Sequence, residues 1–208
     1  MQVHEASKNN EELYMTMESE SANRVLRLWL LLHRVHDVVN LCEESILREY
    51  GLTPEQFAVL ASVRSDGGSL RPVDLALMLE RSPNSVSMLI DRMVKAGLVR
   101  RTRDRKDRRA VNVTLTGKGA KALEPAAPAD WEFVQRILLT LRDEDKHALA
   151  NMLETVKCEA FAYLHPELDK AEIMKNSFTN QTGLYERIMK DVLPSGAETK
   201  RQGVRKRR

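Results

Sequence analysis

Between Lys95 and Arg109 the chain carries Lys95, Arg100, Arg101, Arg103, Arg105, Lys106, Arg108 and Arg109, opposed only by Asp104 and Asp107. Guanidinium groups at this density meet phosphate well. On the tip of a β-hairpin they can also enter a minor groove, where negative potential is concentrated. The plainer alternative is a solvated, charged loop. The residues just upstream favour the first reading. Ser82, Asn84, Ser85, Ser87, Met88, Asp91 and Arg92 recur at helical spacing, mostly as short polar side chains able to reach base edges, and Arg71 precedes them as a further cation.

These groups need a scaffold, and the same stretch encodes one. Ser82 is an N-cap whose hydroxyl can accept from a free backbone N–H, and Pro83 stands at the first helical position, where no donor is missed. Val86, Leu89, Ile90, Met93 and Val94 define a buried face, and Gly97 ends the helix. Upstream, Pro72 starts a short first helix. Downstream, Leu98–Arg101 and Ala110–Leu115 read as antiparallel strands flanking the basic loop. A helix-turn-helix followed by such a hairpin is suited to lying in a DNA major groove with its wing alongside.

The rest of the chain reads as helices around this lobe. Residues 1–20 are polar and acidic and are expected to be disordered. Ser21 or Asn23 is placed to cap a long helix through about Tyr50. On it Leu28, Leu32, Val35, Val39, Cys42 and Ile46 form a seam, widened by Trp29, Leu30, Leu31, Val38 and Leu41. A helix apolar on nearly all sides calls for burial on several, which a dimer interface supplies. Thr53-Pro54-Glu55-Gln56 is a capping box opening a helix through about Arg64. Asp66-Gly67-Gly68 is a turn, and Leu70 is expected to add a very short strand to the wing sheet. After Thr116 a helix begins but meets Pro125 and Pro128, so a kink or interruption is expected before it resumes through Trp131, Val134, Ile137, Leu138 and Leu141. A last helix runs from about Asp143 to Leu164. Gly183–Leu193 reads as a short amphipathic helix.

The predicted fold class is therefore mainly α (α+β), a winged helix-turn-helix with a helical dimerisation layer. Its expected divisions are a disordered start (1–20), dimerisation helix (21–50), DNA-binding lobe (51–115), C-terminal dimerisation helices (116–165) and an extension ending in a basic tail (166–208). Composition agrees, since 5% aromatic and 30% charged residues suit a helical protein better than a sandwich or barrel. The chain's net charge is +3, yet Lys200, Arg201, Arg205, Lys206, Arg207 and Arg208 alone contribute twice that, so the remainder is net acidic outside the basic loop. The tail is either a mobile arm adding phosphate contacts or a solvated end. No run of 18 or more apolar residues spans a bilayer, and no secretory signal opens the chain. Cys42 and Cys158, two isolated cysteines, suggest a reducing cytoplasm.

Asp107 and Arg109, followed after five residues by Leu115-Thr116 and then Gly119, match the wing signature of the MarR family of bacterial transcription regulators. Gly51–Leu60 resembles that family's second helix, and a looser similarity runs to about Leu164. The resemblance implies a homodimeric winged-helix protein on pseudo-palindromic duplex DNA, as a repressor more often than an activator, often released by a small-molecule effector. It implies Arg109 in the minor groove, oriented by Asp107. Met88 departs from the polar or basic residue of many relatives, so apolar contact with thymine methyls is expected there. Relatives place the effector between the dimerisation helices and the DNA-binding lobe, which makes Trp29, His33, His36 and Phe57 candidates to line a pocket. Trp131 is a further candidate. Core packing is the stronger reading for Phe57, and an interface role for Trp131. The alternative function is an oxidant-sensing regulator of the same family switching through Cys42, against an inert thiol on the apolar seam.

Other chemistry finds little support. His33 and His36 lie one turn apart near Asp37, Glu43 and Glu44, a pattern too sparse to specify a metal. There is no Gly-rich phosphate loop and no nucleophile elbow, so neither an enzyme nor a cofactor is expected. The expected partners are duplex DNA, a second copy and an effector, with no membrane.

Overall fold

The computed structural model describes residues 2–103, 111–164, 166 and 169, with side chains from Glu20 onward. The chain divides between Ser45 and Ile46 into two units.

The first unit is the bulk of α1 (Gln2–Arg48). The helix begins at Gln2, upstream of the start expected at Ser21 or Asn23. Residues 1–20 contain neither glycine nor proline and are rich in Glu and Met, both good helix formers. Further along, Val25, Leu28, Trp29, Leu31, Val35, Val38 and Leu41 are all exposed, whereas Leu32, Val39 and Cys42 are half-buried.

The second unit opens with the last turn of α1, whose Leu47 is fully buried. Then come α2 (Pro54–Ser65), β1 (Ser69–Leu70), α3 (Pro72–Met78), α4 (Pro83–Lys95), β2 (Val99–Arg103), β3 (Val111–Leu115), α5 (Gly117–Leu138) and α6 (Asp143–Leu164). The capping box of α2 forms as its sequence dictates: the Thr53 hydroxyl accepts from the Gln56 N–H at 3.3 Å, and Gln56 Oε1 accepts from the Thr53 N–H at 3.1 Å. β3 is the middle strand of a three-stranded antiparallel sheet, with β1 on one side and β2 on the other. Its register sets Leu70 opposite Val113 and Arg101 opposite Val113 from the other side.

One core joins these elements. Val59, Leu60 and Val63 of α2, Leu75 of α3, Val86, Ile90 and Met93 of α4, Val99 and Val113 of the sheet, and Leu123 of α5 are all buried within it. The first half of α5 is thus part of the same packing as α2–α4 and the sheet. Val94, assigned from periodicity to the buried face of α4, is instead 38% exposed, because it lies beyond the edge of the stripe that Val86, Leu89, Ile90 and Met93 fill.

α5 runs from Gly117 to Leu138 with Pro125 and Pro128 inside it, so of the expected kink or interruption the interruption does not occur. Spaced by three, both prolines lie on the exposed face while Leu123, Ala126 and Ala127 are buried on the other. The carbonyls they leave without an N–H partner, those of Lys121 and Glu124, belong to exposed residues where water can bind them.

Among the described residues no helix is long and apolar enough to cross a membrane.

Candidate nucleic-acid interface

Ser82 caps α4 from the β region, its hydroxyl accepting from the Ser85 N–H at 3.2 Å and lying 2.8 Å from the Ser85 hydroxyl. Both hydroxyls therefore work first for the helix start. With Val86, Leu89, Ile90 and Met93 buried, Asn84, Met88, Asp91 and Arg92 are left exposed and Ser87 half-buried. Met88 is 60% exposed, so its apolar side chain is available on this face.

The far end of α4 is fixed as firmly. Gly97 takes φ +72, its N–H donates to the Val94 carbonyl at 3.0 Å, and the Leu98 N–H donates to Met93 at 2.9 Å, a Schellman closure. The Thr116 hydroxyl then donates to the carbonyls of Gly97 (2.7 Å) and Leu98 (3.0 Å) and accepts from the Gly119 N–H at 3.0 Å. Lys118 Nζ donates to the Ala96 carbonyl at 2.8 Å. A Cβ on Gly119 would overlap the Leu98 carbonyl oxygen and press on Leu60 Cδ2 at 3.2 Å. The threonine and glycine of the wing signature are thereby explained: they lock the end of the polar helix to the root of the hairpin and to the start of α5.

The cations differ in how they are held. Arg71 forms a two-pronged pair with Asp74 at 2.7 and 3.0 Å, so its guanidinium braces the first turn of α3. Arg101 donates to Asp91 at 2.7 Å, tying β2 to α4. Arg100 Nε donates to Thr114 Oγ1 across the hairpin at 3.2 Å. Arg92 and Arg103 are exposed. The predicted wing-tip residues Arg105, Asp107, Arg108 and Arg109 lie outside the described residues. Sequence reasoning missed the Asp91–Arg101 pair. Both residues were visible as charges, but only the direction of β2 brings them together.

The proposed pocket residues fall in different places. Trp29 and His33 meet edge to face on α1 with ring centroids 4.5 Å apart, and His36 Nε2 accepts from Asn40 Nδ2 at 3.1 Å on the same helix. Phe57 is half-buried on α2 and packs against the core cluster. Trp131 is half-buried on α5. Cys42 is a half-buried free thiol and Cys158 a buried one. Among the described residues no group of three or more His, Cys, Asp or Glu side chains is placed to hold a metal ion.

A capped polar helix set by a short partner helix, followed by a cationic hairpin on a three-stranded sheet, defines a winged helix-turn-helix. The profile of the MarR family matches residues 50–110. The chain is 30% identical over 129 residues to the HTH-type transcriptional repressor MdtR of Bacillus subtilis, covering 62% of this chain and 79% of that protein. Solved structures are similar as well, and two of them are informative. One is the organohalide sensing RdhR transcriptional regulator in its 2,4-dichlorophenol bound form (25% identity, TM-score 0.60, 66% of this chain and 82% of that one). The other is a mutant MarR from E. coli complexed with operator DNA (29% identity, TM-score 0.50, 60% and 92%). The chain belongs to the MarR family and is a winged helix-turn-helix transcription regulator, not an enzyme.

Proposed function

We propose that the protein binds a pseudo-palindromic operator as a homodimer and represses transcription from it. Each subunit lays α4 in a major groove, where Asn84, Ser85, Ser87, Met88 and Arg92 meet base edges and phosphates, with Ser82 fixing the helix start and Arg71 near the backbone. The hairpin carries Arg103, Arg105, Arg108 and Arg109 to the adjacent minor groove, with Asp107 orienting Arg109. Two-fold symmetry puts equivalent helices about 10 base pairs apart.

The observation that carries this reading is the division of α4 into a fully buried stripe and an exposed polar face capped at both ends. The second copy is supported by the apolar side chains exposed on α1 and by Leu149, Met152, Leu153 and Val156 on α6, far more than an isolated subunit ordinarily leaves to water. Release by a small-molecule effector follows the ligand-bound form of RdhR. It requires that the ligand distinguish DNA-competent from incompetent arrangements.

Selection of duplexes from a randomised pool, followed by footprinting, tests the assignment. Enrichment of an inverted repeat protected on one DNA face supports it, and indiscriminate binding with no enriched sequence overturns it. The oxidant-sensing alternative keeps the same DNA-facing surface and predicts that peroxide releases the wild type but not Cys42→Ser.

A further inference from the structure

Four helices in succession close with the same two backbone hydrogen bonds, and in each the residue just past the end adopts a left-handed conformation. After α1, α2 and α4 that residue is Gly51 (φ 71), Gly67 (φ 75) and Gly97 (φ 72). After α3 it is Glu80, at φ 50, whose N–H donates to Leu77 while the Arg81 N–H donates to Ala76 at 3.0 Å. Among the described residues Glu80 is the one non-glycine with positive φ. Its Cβ is strained there, and glycine would not be.

Glu80 sits in the turn of the helix-turn-helix, and its side chain has a partner from a distant element. Glu80 Oε1 lies 3.7 Å from Lys157 Nζ on α6, and Lys157 is held in turn by Glu154 Oε2 at 3.1 Å. The side chains are only 29–37% exposed, more sheltered than an ordinary surface pair. One residue on, Arg81 Nη1 reaches Glu55 Oε1 of α2 at 3.4 Å. The turn that sets the start of α4 is thus strutted from two sides. The strut to α6 requires a side chain at a position where the backbone prefers none.

We infer that Lys157 is a positioning residue for DNA recognition: through Glu80 it fixes the helix-turn-helix turn, and so the entry angle of α4, against α6. The strain at Glu80 is retained because a glycine there would release the turn from α6. This inference rests on α4 being the groove helix.

The test is a double-mutant cycle on the full-length protein, with a duplex enriched from a randomised pool and a scrambled duplex as probes. Glu80→Gln removes a negative charge and Lys157→Gln a positive one, so a purely Coulombic effect on DNA would move their affinities in opposite directions. The strut predicts that both weaken binding to the enriched duplex, by about two- to fivefold as for a partly sheltered ion pair. It also predicts that the double variant loses no more than either single one, and that scrambled-duplex affinity does not follow. Glu80→Gly should weaken enriched-duplex binding likewise, with no lower melting temperature, since backbone strain is relieved. Opposite movements, multiplicative losses in the double variant, or full affinity in Glu80→Gly would each overturn the inference. If the wild type enriches no sequence at all, the groove-helix reading fails and the inference with it. If the wild type selects a sequence and the variants match it, only the strut fails.

Discussion

Arg101 on β2 reaches across to Asp91 on α4, its Nη2 lying 2.7 Å from Asp91 Oδ1. The acidic residue stands on the otherwise polar and basic face of the helix, where an unpaired carboxylate would repel phosphate. Pairing it neutralises that charge and fixes the root of the hairpin to the helix. The side chains are 39% and 59% exposed, so water screens the pair and its worth to folding is below about 1 kcal/mol.

Asp91→Asn should therefore leave the melting temperature nearly unchanged and strengthen binding to duplex DNA. The slope of log affinity against log salt should steepen by about one as Arg101 turns to phosphate. A titration across salt concentrations measures this, and an unchanged slope would show that Arg101 stays away from the backbone.

Gly119→Ala forces a methyl group onto the Leu98 carbonyl oxygen, which is backbone and cannot swing aside. The gain in helix propensity is under about 1 kcal/mol, and overpacking of this kind costs about 1–3 kcal/mol. Net destabilisation in urea denaturation is expected. An equally stable variant would mean that the junction of α4, β2 and α5 yields easily.

Arg109→Ala should cost about 1–3 kcal/mol of operator affinity with folding intact, as for loss of a groove arginine. Circular dichroism and a binding isotherm together decide it. Full affinity would place the wing away from the groove.

Val35→Asp changes a side chain that is 59% exposed on the single chain, so it leaves the subunit's own packing alone. A charge buried between two copies is costly. Sedimentation velocity should show a shift towards monomer, and an unaltered dimer would move the interface off this face of α1.

Asp130 on α5 has an Oδ1 atom that is buried with no hydrogen-bond partner, and burial raises its pKa above the ordinary 3.8. A raised folded-state value means the folded chain holds this proton more tightly than the unfolded chain does. The stabilising effect is then full below pH 3.8 and lost as pH rises through the folded value. Asp130→Asn should accordingly raise the melting temperature at pH 7 and leave it unchanged near pH 3. Identical shifts at both would exclude the buried carboxyl as the cause.

The DNA-binding lobe was largely legible because its signals are local. A cap needs one hydroxyl next to a helix start, as at Ser82 and Thr53, and a Schellman closure needs one residue that tolerates positive φ, as at Gly97. A buried face needs only the right spacing, and Val86, Leu89, Ile90 and Met93 have it. The misreadings came where context outweighs a local rule. Pro125 and Pro128 did not interrupt α5, because both face solvent while Leu123, Ala126 and Ala127 hold the opposite side in the core. The long first helix starts at Gln2 and not at Ser21 or Asn23, since no glycine or proline stands upstream to stop it.

By itself the sequence determined the winged helix-turn-helix, the polar face of α4 and the cationic hairpin, since caps, turns and periodicity act over a few residues. Only the tertiary structure decided which distant charges meet. Asp91 finds Arg101 through the course of β2, Arg81 finds Glu55 from another helix, and Glu80 finds Lys157 across 77 positions of chain. Such pairs depend on where packed elements bring side-chain ends in three dimensions, and no spacing along the chain encodes that distance.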